Sequence, residues 1–284
     1  CPSTAYAAVG APEETAMTLA DFIASRTVRH PKAGDIVPLG AIALVVQQVT
    51  DGLKAERSAP QLTVTTTNGF ASLWLIPRLR GFTVLHPSVD VRISATYKTI
   101  NLERDLVDIA VRYCIPEDAP AGAVRLFGEE LFPVCSPALQ TEGPNPLRTL
   151  SDLKFHGLLR LEGAMGQLDW ETWLAAQGLV DMKPASSMRF DTYEQMIQSA
   201  LSGQGVAMGI GRLVSGLIEA GRLVAPFSKS VTGSRSYFVI RSATTGTRPH
   251  VQAFADWLVE EAKAVSDQAM LAAAKVSSRS PAAR

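Results

Sequence analysis

Cysteine and charge are both scarce in this chain of 284 residues, and each shortage excludes a class of protein. The three cysteines, Cys1, Cys114 and Cys135, lie in no CxxC or other metal-ligand spacing. An odd number without such spacing indicates reduced thiols rather than a disulfide framework. Charged residues make up 19% of the chain, with 27 basic residues balancing 27 acidic ones. A net charge of zero excludes a chain-wide basic field for gathering nucleic-acid phosphates.

The one stretch that could imitate a targeting segment is also too short for that role. Residues 36–46 are apolar but end abruptly at Gln47-Gln48, whereas a membrane-spanning helix needs about 20 apolar residues. A secretory signal would lie at the N-terminus, and this run begins only at Ile36. We therefore expect a cytoplasmic protein with no membrane partner, and an exported protein is the alternative.

Reactive and metal-binding patterns are missing as well. No GxSxG, HExxH, Walker or kinase motif occurs. The neighbouring carboxylates Glu129 and Glu130 lie on a predicted strand and would face opposite sides, which favours solvent exposure over acid–base catalysis. The four histidines are far apart and none has a second ligand at i+3 or i+4: His30, His86, His156 and His250. We expect no enzyme activity, no metal and no cofactor.

Apolar residues, in contrast, are abundant. Hydrophobic residues make up 46% of the chain, which excludes a largely disordered protein. A chain of 284 residues is long enough for two lobes that each bury a core. We therefore expect a folded, two-lobed molecule.

The first 60 residues contain two helical patterns. One modest window, Thr18–Val28, opens with a Thr18-x-x-Asp21 capping pattern. A narrow apolar stripe then follows a 3-4-3-4 spacing at Leu39, Ile42, Val46, Val49 and Leu53. Such a stripe either pairs two chains or lies on its own domain, and the pattern alone favours neither. The Ser-Ala-Pro sequence of residues 58–60 ends this helix as a hinge.

Strands and helices alternate after the hinge. The first set is a strand at 62–67, a helix from Asn68-Gly69 to Leu85, a strand at 89–95, a short helix at 101–106 and a strand at 108–113. Such βαβαβ units form a parallel sheet. The ligands of these sheets bind at the carboxyl ends of the strands.

A second alternating set follows the Pro- and Gly-containing loop at 141–146. Strands are predicted at 157–161, 187–190 and 206–210, with helices at 170–177 and 192–201. A strand at 236–241 and a helix from Pro249 to about Val265 come next, and their order favours a return to the first lobe. The remaining residues, 266–284, are expected to be a disordered tail.

Short polar side chains cluster at the predicted strand ends, as expected for a site that orients a small molecule without reacting with it. Each of these residues could also have a purely structural role, because Thr packs well in strands and Asp191-Thr192 can cap a helix. Their convergence on one cleft nevertheless favours binding. These candidates are Thr66, Thr67, Asn68, Ser94, Thr96 and Thr192.

Several segments together resemble the effector-binding domain of LysR-type transcription regulators, especially its glycine-cleavage activator and β-lactamase regulator branch. Residues 62–77 (LTVTTTNGFASLWLIP) resemble its opening, and residues 126–137 (LFGEELFPVCSP) are its most specific motif here. The segments 89–94 (VDVRIS), 108–113 (DIAVRY) and 203–208 (GQGVAM) occur in the family's order and spacing. The resemblance covers about 200 residues.

This resemblance implies an α/β fold like that of type 2 periplasmic binding proteins, with a small-molecule effector bound between two lobes. Lobe I would comprise about 61–140 and 242–265, and lobe II about 147–235. A linker helix at 36–60 would pair the subunits of a homodimer or tetramer. DNA is the implied second partner, and a transport solute-binding protein is the alternative. The cleft positions carried onto this chain are Thr67, Asn68, Gly69, Ser94 to Thr96, Tyr113, Asp191, Thr192 and Tyr193.

Two departures from the family pattern stand out. Relatives often place a Ser or Thr hydroxyl where this sequence has Gly69, so a ligand anchored there would lose a hydrogen bond worth about 0.5 to 1.5 kcal/mol. In addition, residues 1–35 show no winged helix-turn-helix pattern, and residues 1–60 carry five basic against six acidic residues. Phosphate binding prefers the opposite sign. We therefore expect an atypical or truncated N-terminal segment.

Overall fold

The computed structural model describes residues 59–98, 100–162 and 170–277, with side chains as far as residue 264. Within these residues, eight strands form one sheet in the order β2-β1-β3-β8-β4-β7-β5-β6. The strands are β1 (Gln61–Thr66), β2 (Asp90–Ala95), β3 (Ile109–Cys114), β4 (Val124–Val134), β5 (Gly157–Leu161), β6 (Ser186–Phe190), β7 (Val206–Ile210) and β8 (Val231–Arg241). The helical window Thr18–Val28 and the apolar stripe from Leu39 to Leu53 lie outside the described residues.

Helices cover the sheet. The helix α1 is continuous through Asn68–Phe70, a π-helical stretch Ala71–Leu75 and Ile76–Leu85. The other helices are α2 (Ala138–Thr141), α3 (Trp170–Ala176), α4 (Tyr193–Leu201), α5 (Gly211–Glu219) and α6 (Pro249–Ser277), with 3-10 turns at Pro116–Asp118 and Leu150–Phe155.

Two parallel three-stranded groups make up the ends of the sheet. In lobe I, β1 pairs in parallel with β2 and β3, and in lobe II, β5 pairs in parallel with β6 and β7. Two long antiparallel strands, β4 and β8, lie between the groups and pair with each other. Each has 11 residues and is therefore about 36 Å long, enough to cross from one lobe to the other. These crossing strands hold the lobes together.

Each lobe has its own aromatic core. In lobe I, Phe70 and Trp74 of α1 stack with ring centroids 4.8 Å apart and contact Phe127 of β4. In lobe II, Trp170 and Trp173 of α3 meet edge to face with centroids 6.0 Å apart. Burying such rings is the main apolar stabilisation of both lobes.

The predicted short helix at 101–106 is wrong, because these residues form turns. The Asn101 side chain accepts from the backbone N–H of Arg104 at 2.8 Å, and the Asp105 carboxylate accepts from the N–H of Asn101 at 3.2 Å. Side chains that bond their own backbone compete with a helix. Leu106 then takes a φ of 52°, which ends any helical path.

Two further boundaries and one helix differ from the sequence-based expectation. The strand expected at 236–241 begins at Val231, because residues 232–235 (TGSR) contain no apolar side chain that would have indicated a strand. The helix α5, which buries Leu213 and Val214, was not predicted. The helix expected to end near Val265 continues to Ser277, so the predicted tail is helical up to that residue. Among the described helices, none has the length and apolarity to span a membrane.

Candidate effector site

The carboxyl ends of β1 and β2 bring the first candidate residues together. Thr67 is the N-cap of α1, with an extended ψ of 152°, and its hydroxyl accepts from the N–H of Phe70 at 3.3 Å. The backbone N–H of Thr96 donates to the carbonyl of Thr66 at 2.8 Å. Thr67 and Thr96 therefore lie beside each other at the edge where parallel strands present ligand sites.

A cavity of about 630 Å³ lies at these strand ends, and we call it the strand-end cavity. Its volume is in the range of small-molecule sites. Its lining is polar at Thr67, Thr96, Tyr97, Asn101, Tyr113 and Cys114, charged at Lys98, Glu103, Arg112, Asp118 and Arg235, and apolar at Ile100, Leu102, Ala110, Pro120 and Ile240. Apolar wall beside polar and charged side chains suits the binding of a small organic molecule.

A second group of candidates meets where α1 of lobe I faces α4 of lobe II, and we call it the inter-lobe seam. A Cβ added to Gly69 would lie 2.9 Å from Cδ1 of Tyr193, so the ring packs directly on the glycine. The hydroxyl of Tyr193 accepts from the N–H of Ile210 at 2.7 Å, and its own N–H donates to the hydroxyl of Tyr97 at 3.4 Å. Tyr193 therefore connects lobe I to lobe II.

The seam also holds polar atoms that find no hydrogen-bond partner within the described residues. These atoms are Oδ1 of Asn68 in lobe I and Oγ1 of Thr192 and Oε2 of Glu194 in lobe II. Burial raises the pKa of the neighbouring Tyr97 phenol, and the carboxylate of Glu194 raises it further. Buried polar atoms are normally paired, so unpartnered atoms from both lobes make the seam a candidate binding position.

Glu129 is buried beside the strand-end cavity, which contradicts its predicted solvent exposure. Only 6% of the residue is exposed. The hydroxyl of Tyr113 donates to Oε1 of Glu129, and the N–H of Arg235 donates to Oε2 at 3.3 Å. The two carboxylates do face opposite sides as expected, since Glu130 is exposed. Strand alternation sets the direction of a side chain, but tertiary packing decides which side is buried.

We expect the stability of the folded chain to fall as the pH rises above the ordinary Glu pKa of 4.5. Burial raises the pKa of Glu129, although the donors from Tyr113 and Arg235 partly oppose this. The folded state therefore holds its proton more tightly than the unfolded chain, and this contribution is lost as the pH rises through the raised pKa. Urea unfolding from pH 4 to 8 should show a smaller loss in Glu129→Gln than in the unsubstituted chain.

The matched control for this experiment is Glu130→Gln, which removes the adjacent exposed carboxylate bonded to Ser230. It should keep the pH dependence of the unsubstituted chain. Parallel pH profiles of the unsubstituted chain and Glu129→Gln would contradict the burial argument.

The ten residues predicted to bind an effector divide into four groups. Thr67, Thr96 and Tyr113 line the strand-end cavity. Asn68, Gly69, Thr192 and Tyr193 meet at the inter-lobe seam, and Thr66 lies buried at the end of β1 with its hydroxyl unpartnered among the described residues. Ser94 and Asp191 do not line the cavity, and Asp191 is exposed.

Sequence reasoning missed Arg112, Glu129, Tyr97 and Arg235. One signal was present for Arg112, because a charged residue inside the apolar run 109–113 is unusual in a buried strand. Tyr97 directly follows the candidate Thr96 at the end of a predicted strand, whereas nothing in the sequence marks Arg235, which reaches the site only through the fold. Within the described residues, His, Cys, Asp and Glu side chains nowhere gather in threes to hold a metal ion.

Two βα lobes joined by crossing strands, with a polar cavity at the strand ends, define a ligand-binding domain of the periplasmic-binding-protein type. Residues 55–263 match the family model of the LysR substrate binding domain. The chain therefore belongs to the LysR family of transcription regulators and contains its effector domain, which confirms the family and the fold expected from the sequence.

Named relatives and solved structures agree with this assignment. The chain is 33% identical over 221 residues to the glycine cleavage system transcriptional activator of Escherichia coli K12, covering 78% of this chain and 70% of the relative. It is 32% identical over 220 residues to the transcriptional activator AmpR of Providencia stuartii, covering 78% and 71%. Both relatives are transcription regulators, so the comparison favours this function over that of a solute-binding protein for transport.

Solved effector domains have the same fold. The effector domain of AmpR from Pseudomonas aeruginosa is 31% identical with a TM-score of 0.58, covering 75% of this chain and 99% of that one. The AmpR effector binding domain from Citrobacter freundii is 26% identical with a TM-score of 0.56, covering 72% and 98%.

Proposed function

We propose that a small-molecule effector binds in the strand-end cavity and at the inter-lobe seam, and that it biases how the two lobes close on each other. The observation that supports this most is the set of unpartnered buried acceptors from both lobes, Asn68 in lobe I and Thr192 and Glu194 in lobe II. A ligand that donates to both sides would bind the closed arrangement better than an open one. A protein with two states responds only to such a difference in affinity.

The size of this effect is sufficient for a switch. A ligand present at 100 times its Kd for the closed state, with no affinity for the open state, stabilises the closed state by about 2.7 kcal/mol. That free energy is enough to reverse a modest equilibrium between two lobe arrangements. The crossing strands β4 and β8 are the only strands shared by both lobes among the described residues, so any change in closure passes through them.

We further propose that the whole protein acts in the cytoplasm as a homodimer or tetramer that regulates transcription at DNA, without enzyme activity. The linker helix at 36–60 would pair the subunits through Leu39, Ile42, Val46, Val49 and Leu53. Lobe I would comprise about 61–140 and 242–265, and lobe II about 147–235. The sequence stripe and the family membership support this proposal.

Thermal unfolding in the presence of amino acids, aromatic acids and cell-wall fragments tests the proposed site. We expect at least one class of compound to raise the Tm of the unsubstituted chain and to bind less tightly to Thr96→Val. The hydroxyl of Thr96 lines the strand-end cavity, and losing one such hydrogen bond costs about 0.5 to 1.5 kcal/mol.

Thr83→Val is the matched control, because Thr83 lies on α1, also has a local hydroxyl contact, and does not line the strand-end cavity. It should bind the same compound as the unsubstituted chain does. Compounds that bind all three proteins equally would place the effector elsewhere, and a panel without any Tm shift would contradict sensing of these classes.

A further inference from the structure

Arg112 is a charged residue in the middle of a buried strand. Its neighbours in β3, Val111 and Tyr113, are buried, and it pairs with Phe238 in the adjacent strand β8. The guanidinium lines the strand-end cavity, and its Nη2 is sealed from solvent with no hydrogen-bond partner among the described residues. A planar fork of donors is therefore held at the wall of a cavity with one nitrogen unsatisfied.

Nearby carboxylates do not compensate this charge. Burial lowers the pKa of Arg112, and no acidic group offsets that effect. Glu129 is bonded to Tyr113 and to the backbone of Arg235, and Glu103 is exposed and accepts from the N–H of Ala243 at 3.0 Å. A guanidinium stays protonated in proteins, so the charge persists when it is buried. Because Arg112 is partly buried, its charge has lost part of its hydration, and an anion in the cavity would offset that loss.

The rest of the cavity is consistent with the same ligand class. Lys98 and Arg235 add two cationic side chains to Arg112, against the two carboxylates of Glu103 and Asp118. Ala110 and Ile240 from the sheet supply apolar wall. The combination of a cationic fork with apolar surface suits an organic acid, because a carboxylate matches the guanidinium in two parallel hydrogen bonds and its carbon skeleton fits the wall.

We propose that the effector is a small organic carboxylate whose carboxyl group binds Arg112 in the strand-end cavity. This inference rests on the proposed function of the cavity and specifies the chemical class of its ligand. The carboxylate would pair with the side of the Arg112 guanidinium that faces the cavity, and the hydroxyls of Thr67 and Thr96 would contact the remaining polar atoms of the ligand.

Matched compounds test the ligand class on the unsubstituted full chain. Linear and aromatic hydroxycarboxylates, from lactate to phenyllactate, whose hydroxyl can donate to the acceptors of the inter-lobe seam, are compared by calorimetric titration with their primary amides and with the amino alcohols of equal length. We expect one or more carboxylates to bind at least tenfold more tightly than the corresponding amide and amine. Amides or amines that bind better than the carboxylates, with a loss in Thr96→Val, would overturn the anion proposal while leaving the sensing function intact. Absence of binding by all three classes would count against both.

Substitutions of Arg112 give an independent readout. Arg112→Gln should weaken carboxylate binding at least tenfold, and Arg112→Lys should fall between, since lysine keeps the charge but not the planar fork. Without ligand, Arg112→Gln should unfold at an equal or higher temperature, because the uncompensated charge is gone; a purely structural arginine would give a lower one. Arg80→Gln, which removes an exposed arginine of α1, is the control and should bind as the unsubstituted chain does. Equal carboxylate affinity in Arg112→Gln would overturn the proposal.

Discussion

Replacing Gly233 with alanine is expected to lower the free energy of unfolding by about 2 to 4 kcal/mol, because the new methyl group would occupy the position of the Glu129 carboxylate. Gly233 lies in the crossing strand β8, directly against that buried side chain. Glu129 would have to leave its place, and its bonds to the Tyr113 hydroxyl and the Arg235 backbone would be lost. Tyr113 would then be a buried donor without an acceptor.

Urea unfolding of Gly233→Ala and Gly216→Ala measures this effect against a matched change. Gly216 lies in α5, and a Cβ there meets no atom within 4 Å. Alanine in a helix interior is favoured over glycine by about 0.5 to 1 kcal/mol, so this control should be stabilised. A Gly233→Ala protein as stable as the unsubstituted chain would mean that Glu129 moves aside at little cost. Gly233→Ala/Glu129→Ala should recover part of the loss, since the clash is then absent.

Replacing Gly69 with alanine is expected to destabilise the chain by about 1 to 3 kcal/mol through overpacking. The added Cβ would lie 2.9 Å from Cδ1 of Tyr193 and 3.3 Å from its Cβ. The ring has little room to retreat, because Tyr193 is 1% exposed and its hydroxyl accepts from the N–H of Ile210. Since Gly69 belongs to lobe I and Tyr193 to lobe II, the clash would be relieved by displacing the Tyr193 ring or by moving the two lobes apart.

Gly81→Ala is the control within the same helix. A Cβ at Gly81 would make only ordinary contacts, 3.5 Å to Nε1 of Trp257 and 3.7 Å to Oε1 of Glu261, so the helix preference for alanine should stabilise this variant. Urea unfolding gives both free energies. In a Tyr193→Ala background the Gly69 change should cost less than about 0.5 kcal/mol, as a double-mutant cycle shows when the contact itself carries the effect. An unchanged cost in that background would contradict the seam contact.

The packing of Tyr193 limits the size of the residue at position 69. The resemblance indicated only that a hydroxyl-bearing side chain often occupies this position. In this chain the aromatic ring fills that space, and any larger residue at 69 would collide with it. Glycine at this position thus permits the contact between the lobes.

Local patterns predicted most strands closely. The strands at 157–161 and 206–210 have the predicted ends, because continuous apolar runs bounded by turns leave little choice of register. The prediction failed at 101–106, where the side chains of Asn101 and Asp105 bond their own backbone in place of a helical turn. It also failed for α5, because its apolar residues form a buried face only when the helix packs against the sheet.

The sequence by itself determined the family, the two alternating βα sets and the strand ends where Thr67, Thr96 and Tyr113 line the cavity. Those features depend on short-range periodicity and on motifs that are contiguous in the chain. Only the tertiary structure decided that Glu129 is buried, that Arg112 faces a cavity without a counter-ion and that Tyr193 closes on Gly69. Burial and charge compensation depend on residues distant in sequence, such as Tyr113 with Glu129, which no local pattern encodes.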